Sequence, residues 1–286
     1  MAPSAGIAPR VVLSGTAVQG PMVASTVTAY AVDPVTAISV RVLGTARTTA
    51  SGKFTVRIPP HKRPVRLVAM GGSFVSEANG STVHPLGGLT VLLPGATTDT
   101  PGISINPLTK FINARTIRNR RIGHIPFRAA LTSATATIES YCGLTTDPAR
   151  LFPDYTESGV GTDAGNLGLI LGALVNEDQH LCPDAPGGLV FALAADISDG
   201  VFNGSKANAA VAYCGGKLPA IAGTSDFQDA LSGVQQLQYV SPAFAFGGLY
   251  GPPGNILMNQ EPPVTPDLLL APLAAINSAI TLAAPQ

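Results

Sequence analysis

The chain lacks every short motif that would announce a reaction. It has no G-x-S-x-G elbow, no phosphate-binding loop, no dinucleotide fingerprint and no H-E-x-x-H pair. No catalytic residue and no cofactor is therefore expected, and the chain reads as non-enzymatic. Charge is scarce too: 12% of residues are charged and 45% are hydrophobic, which excludes a solvated, disordered chain. Of the three cysteines, Cys142, Cys182 and Cys214, no two have CxxC spacing and no histidine cluster accompanies them, so a zinc module is excluded. The opening MAPSAGIAPR has neither a basic n-region nor an apolar h-region, so no leader is visible. The run LLLAPLAAINSAITLAA is interrupted by Pro272 and too short for a membrane span.

Glycine and proline are plentiful, 31 and 25 of 286 residues, a proportion that suits a loop-rich extracellular protein. An extracellular or cell-surface setting is the expectation, with the cytoplasm left open. In an oxidising compartment the favoured disulfide is Cys142–Cys182, since each follows a helical run and precedes a Gly or Pro turn. Three buried thiols in a reducing compartment are the alternative.

The formal net charge is zero but lopsided: residues 1–128 hold 14 Lys/Arg against 3 Asp/Glu, and residues 129–286 hold 3 against 14. Either the halves attract one another within a chain, or the basic front of one copy meets the acidic back of the next. The basic cluster Lys110, Arg115, Arg118, Arg120, Arg121 and Arg128 is accordingly a candidate inter-subunit surface. It has no aromatic stacking positions among its charges and no recognised helical motif, which argues against nucleic acid as a partner.

Texture changes near residue 100. Before it, VVLSGTAV, STVTAYAV, ISVRVLGTART, GKFTVRI and VRLVAMG are strand-like runs separated by Gly, Pro and Asp-Pro turns, the spacing of a β-sandwich over residues 11–99 after a flexible lead-in of residues 1–10. Val27, Ala29 and Ala31 alternate with Thr26, Thr28 and Tyr30, so they predict the buried face of a strand. After it, Asn106 and Pro107 mark a helix start, and 127–143, 163–181, 187–200 and 227–240 are helical segments suited to a small bundle over residues 105–240. Residues 241–286 form an apolar, Pro/Gly-rich tail, which packs on its own chain or on a neighbouring subunit; Leu268, Leu269 and Leu270 are its candidate contacts. The fold class is α+β with two domains.

The first part resembles the transthyretin-like, or carboxypeptidase-regulatory-like, β-sandwich of bacterial surface proteins and lipoproteins. The matching residues are Gly15, Gly20, Pro21, Val27, Tyr30, Gly44, Thr48, Gly52, Phe54, Gly71, Gly72, Ser73, Glu77 and Gly80, with Phe74, Ser76 and Asn79 departing from the pattern. INPLT at 105–109 and DISDGVFNG at 196–204 keep the order seen in similar proteins, with Asn106 and Asn203 as departures. The resemblance implies a transthyretin/Ig-like sandwich, a helical domain and a surface setting. It implies no chemistry.

Among polar groups, Asp196, Ser198, Asp199 and Asn203 have a spacing loosely like a calcium loop, but the Gly stands early and no bidentate Glu closes it. A helix end with two turns is the expectation, and no metal is assigned. Glu177, Asp178 and Asp184 beside His180 are expected on an exposed loop, and His61, His84, His124 and His180 are expected as solvated imidazoles. The resulting functional expectation is a structural or adhesive protein, whose partner is itself as a homo-oligomer or as the subunit of a filament or layer. The alternative is a monomeric module that binds a surface glycan or protein through loops such as GGSFVSEANG.

Overall fold

The computed structural model describes residues 9–75, 80–154, 162–200 and 204–218 of the 286-residue chain. It is a mixed α+β fold built on two facing sheets. One has the order β4 (Lys53–Ile58), β1 (Val11–Ala17), β9 (Thr100–Ile105); the other has the order β3 (Ser39–Arg47), β2 (Thr26–Val32), β5 (Val65–Met70), β8 (Leu89–Leu93). All neighbours are antiparallel except β1 and β9. A short ribbon, β6 (Phe74–Val75) with β7 (Thr82–Val83), sits beside them.

The five strand-like runs are strands, each within a residue of its expected ends. Alternation explains why: Leu13, Val27, Ala29, Val56, Ile58, Val65, Leu67 and Ala69 are fully buried between the sheets, while Lys53, Thr55 and Arg57 on the other face of β4 are exposed. Burying such side chains contributes about 25 cal/mol per Å² of apolar surface. The sandwich runs past the boundary expected at residue 99, because β9 lies parallel to β1. Gly15 permits this approach: a Cβ there would stand 1.8 Å from the carbonyl oxygen of Ile103. Gly44 does the same where β3 crosses β4, since its Cβ would lie 2.5 Å from the carbonyl oxygen of Arg57. Thr48 is buried and ties two turns, with its hydroxyl donating to the Met22 carbonyl at 2.6 Å and accepting from the Ser25 N–H at 2.8 Å.

β8 is buried on both faces. Leu89, Val91 and Leu93 join the sandwich core, and Leu92 joins Val32, Ala37 and Phe127 under the helices. Helix α1 (Pro107–Arg121) starts where Asn106 and Pro107 predict. The Asn106 side-chain oxygen accepts the Thr109 N–H at 3.0 Å, and the Thr109 hydroxyl accepts the Asn106 N–H at 2.9 Å. Helix α2 (Phe127–Cys142) stops at Gly143, which takes φ 63°.

Helix α3 (Asp163–Leu181) is capped one residue earlier than an Asp163 cap would have it. Thr162 accepts the Gly165 N–H at 3.1 Å. Helix α4 (Leu189–Asp196) is shorter than the expected 187–200 segment and tightens into a 3-10 turn, Ile197–Asp199, before Gly200. Two small hairpins that no periodicity announced follow: β10 (Ser205–Lys206) with β11 (Ala209–Ala210), and β12 (Ala212–Tyr213) with β13 (Gly216–Lys217). The expected 227–240 helix and the 241–286 tail lie outside the described residues. One apolar cluster continues from Val11 in the sandwich to Leu108, Ile138, Leu171 and Leu193 in the helices. No helix among the described residues is long and apolar enough to cross a membrane.

Candidate functional site

The basic residues of α1 divide into those that face inward and those that remain outside. Lys110 is turned inward: its Nζ donates to the Gly88 carbonyl at 2.9 Å and lies 4.8 Å from the centre of the Phe191 ring. Burial, assisted by the nearby Arg66 charge, pushes Lys110 down to about 8. Arg66 on β5 uses all three nitrogens, on Asn113 Oδ1 at 2.9 Å, Ser39 Oγ at 2.9 Å and the Ala37 carbonyl at 2.8 Å. Arg120 donates to the Pro34 carbonyl at 2.7 Å. Arg115 is half-buried against Gly200, and burial together with Arg118 lowers its pKa while Asp199 opposes that shift. Lys110 and Arg120 are thus engaged inside the chain, a correction to their expected place on an inter-subunit surface, and Arg115 is half-buried. Arg121 and Arg128 are exposed and Arg118 is partly so.

Between α1 and α4 lies a cleft of about 540 Å³. Lys110, Arg118, Arg121 and Lys206 line it with Asn113, Ser198 and apolar side chains that include Ile117 and Phe191, and no acidic residue among the described residues lines it. The sequence pointed to the arginines. It gave no sign that Lys206 and Phe191, about 90 and 70 positions beyond Arg118, share its cleft.

Three acids of the second half, Asp178, Asp196 and Asp199, are occupied. Asp196 is buried and accepts the N–H groups of Gly204 and Ser205, each at 3.1 Å. Asp199 accepts the Ala207 N–H at 2.8 Å, and the Ser198 hydroxyl donates to the Ala195 carbonyl at 2.6 Å. Of these calcium candidates Asp196 and Asp199 therefore clasp the first small hairpin, Ser198 bonds back to α4, and Asn203 lies outside the described residues. Among the described residues no group of three or more His, Cys, Asp or Glu is placed to hold a metal ion.

Asp178, expected on an exposed loop, is a buried clasp instead. It accepts the N–H groups of Gly187 at 2.5 Å and Leu189 at 3.1 Å, and the Tyr213 hydroxyl at 2.6 Å. Burial raises its pKa even against those three donors. Tyr213 is next to Cys214, and Asp178 is one helical turn before Cys182. That anchor explains the second correction: the disulfide is Cys182–Cys214, with Cα atoms 5.6 Å apart, and not Cys142–Cys182. Cys142 is a free thiol at the end of α2, and burial pushes it up to about 12, where it is inert at neutral pH.

Among the described residues no histidine belongs to a group of three or more side chains that could hold a metal ion. His61 pairs by its backbone with Ala96, and burial with the Arg41 and Arg63 charges lowers its pKa. His84 Nδ1 lies 3.2 Å from the Gly72 carbonyl, and His124 is exposed.

No family model matches the chain, and no curated protein matches it. Among solved structures, the crystal structure of a 9R-lipoxygenase from Cyanothece aligns over 48% of this chain and 25% of its own, at 10% identity and a TM-score of 0.23. The chain thus spans about a quarter of that enzyme's length, and a likeness of that grade carries no argument.

Proposed function

We propose that this is a non-enzymatic extracellular structural or adhesive protein that associates with itself, built from a transthyretin-like sandwich and a helical domain. The observation that carries the reading is the outer edge of the four-stranded sheet. β3 is nine residues long and pairs on one side with β2, and the large apolar side chains Val35, Ile38, Val40 and Val42 on and before it are each half-exposed or more. A long apolar edge strand is a template for another strand, and natural proteins blunt such edges unless pairing is wanted. The Cys182–Cys214 bond supports an oxidising setting. The two sheets of three and four strands support the sandwich family that the Gly15, Gly44 and Thr48 pattern resembles.

Contact of one copy's edge with a second copy is steered by the exposed Arg121 and Arg128 of the basic half meeting the acidic half of a neighbour. If the two meeting surfaces differ, the product is an open polymer, unless the rotation closes a ring. Light scattering of the full chain tests this. The wild type is expected to exceed the 29.1 kDa of a monomer, and Val40→Lys/Val42→Lys is expected to return to it. A wild type that stays monomeric at low and high salt would sink the reading.

A further inference from the structure

We infer that Lys110 is a reactive amine: the cleft between α1 and α4 admits an aldehyde with an apolar body, which condenses with Lys110 Nζ to a Schiff base. This goes beyond self-association and requires no turnover, since the product is an adduct held in the cleft. The first observation is how the amine is presented. Of the chain's five lysines, Lys53, Lys62, Lys206 and Lys217 are exposed, and Lys110 alone is turned inward. Its Nζ is fixed by a 2.9 Å bond to the Gly88 carbonyl, lies 4.8 Å from the centre of the Phe191 ring, and belongs to the lining of the cleft. A carbonyl carbon that enters there meets a nitrogen whose position is already set.

The second observation is the walls. Ala114 and Ile117 of α1 and Phe191, Ala194 and Ala195 of α4 line the cleft with Lys110, so each helix contributes an apolar side. Its volume of about 540 Å³ falls within the roughly 300–1,000 Å³ of small-molecule sites. An apolar body laid on these walls leaves water, which contributes about 25 cal/mol per Å². Burial and the Arg66 charge support the same reading by bringing Lys110 down to about 8. More of the nucleophilic free amine is then present near neutral pH than an ordinary lysine supplies.

In the condensation Nζ releases one proton to solvent, and its lone pair forms the N–C bond while the carbonyl π pair goes to oxygen. One of the two remaining amine protons moves to that oxygen, the released proton returns to it, and the C–O bond breaks to expel water. The nitrogen keeps its last proton as a protonated imine, and that N–H stays on the Gly88 carbonyl. No oxidant or reductant takes part.

Reductive trapping on the full chain tests this. Benzaldehyde or glycolaldehyde is supplied near neutral pH with sodium cyanoborohydride, and peptide mass spectrometry gives the initial alkylation rate of each lysine. Lys110 should react with benzaldehyde at least about tenfold faster than Lys53, Lys62 or Lys217. The benzaldehyde-to-glycolaldehyde rate ratio at Lys110 should exceed the same ratio at Lys53 at least about fivefold, because only the apolar body gains from the walls. Comparing the two ratios cancels the basicity of each amine and the intrinsic reactivity of each aldehyde. Ile117→Asn makes one wall polar and Ala114→Leu narrows the cleft, so each should bring the Lys110 ratio towards that of Lys53. Slow hydrogen exchange over Val27–Ala31 in β2 shows that a variant is folded, and the wild-type rates decide the matter even where one is not.

Lys110 alkylated no faster than the exposed lysines would overturn the proposal. Fast alkylation with equal ratios at Lys110 and Lys53 would overturn it too, since the cleft would then hold no apolar body. So would a Lys110 ratio that both folded variants leave unchanged. None of these rates depends on the β3 edge, so failure here leaves the self-association result standing, and the reverse.

Discussion

The sandwich and the segment from α3 to the last hairpin are held together by different means. Between the sheets the stabilising contacts are many, apolar and interchangeable: Leu13, Val56, Ile58, Leu67 and their neighbours share one buried face. Beyond α3 the elements are short, and the last four strands have two residues each. There a few polar attachments fix the chain: Asp178 on Gly187, Leu189 and Tyr213, Asp196 on Gly204 and Ser205, and one disulfide. A core loses a methyl group gradually. A clasp fails at once, because its buried donors are left without partners.

The largest effect should therefore come from Asp178→Ala, which orphans the Gly187 and Leu189 amides and takes the carboxylate away from the Tyr213 hydroxyl, leaving that hydroxyl the Asp178 backbone carbonyl at 3.3 Å. A loss of about 3–5 kcal/mol is expected by denaturant titration, with exchange accelerated over 187–218 while the sheets stay protected. Leu67→Ala should cost a similar amount, about 2–5 kcal/mol, but speed exchange throughout the sheets. Equal loss of protection everywhere in both variants would erase the distinction between the two regions.

The disulfide comes next. It closes a loop between positions 32 residues apart, for which the chain-entropy argument gives about 3–4 kcal/mol. Cys182→Ser/Cys214→Ser should lose less than that, since Tyr213 still holds the hairpin on Asp178. Combining it with Tyr213→Phe should cost more than the sum of the two, because each attachment substitutes for the other. Simple additivity would show that they act separately.

The same difference explains what the sequence could tell. Strands β1 to β5 were legible because a period of two is written in adjacent residues, as in Thr26–Val32, and because the turn residues between them are Gly, Pro and Asp. The start of α1 was legible because its capping side chain is three residues from the amide it caps. β9 was not, since TPGISI carries a proline and a glycine and its burial depends on Gly15 nearly ninety positions away. The clasps were illegible for the same reason at longer range. Asp178 and Tyr213 are 35 positions apart, and nothing near either residue names the other. The disulfide was misassigned because helix ends identify where a cysteine sits, whereas its partner is decided by which hairpin Asp178 captures. In the cleft the arginines stood together on one helix, but Lys206 and Phe191 arrive from other elements.

Lys110 stands where the two regions meet, bonded to Gly88 just ahead of β8 and lying over Phe191 of α4, so its charge is a reporter on their junction. Its pKa falls from 10.5 in the open chain to about 8 in the fold. Between those values the unfolded chain binds the proton that the folded chain has released, so stability rises with pH across that window. At lower pH both states are charged, and the folded state carries the cost of a buried ammonium. The whole shift would amount to about 3 kcal/mol, and solvent at the cleft mouth reduces that to about 1–2 kcal/mol.

Cys142 and Tyr141 titrate with the opposite sign: burial raises both, so the folded state keeps their protons and stability falls as pH rises through about 9 and 10. The wild-type profile alone would mix the three. Lys110→Met retains the other two groups and the stem that packs on Phe191, so the wild type minus the variant isolates the ammonium. That difference should be unfavourable to the wild type at pH 7 and shrink towards pH 10. A difference independent of pH would mean that Lys110 keeps its ordinary affinity for a proton and that the junction between sandwich and helices is open to water.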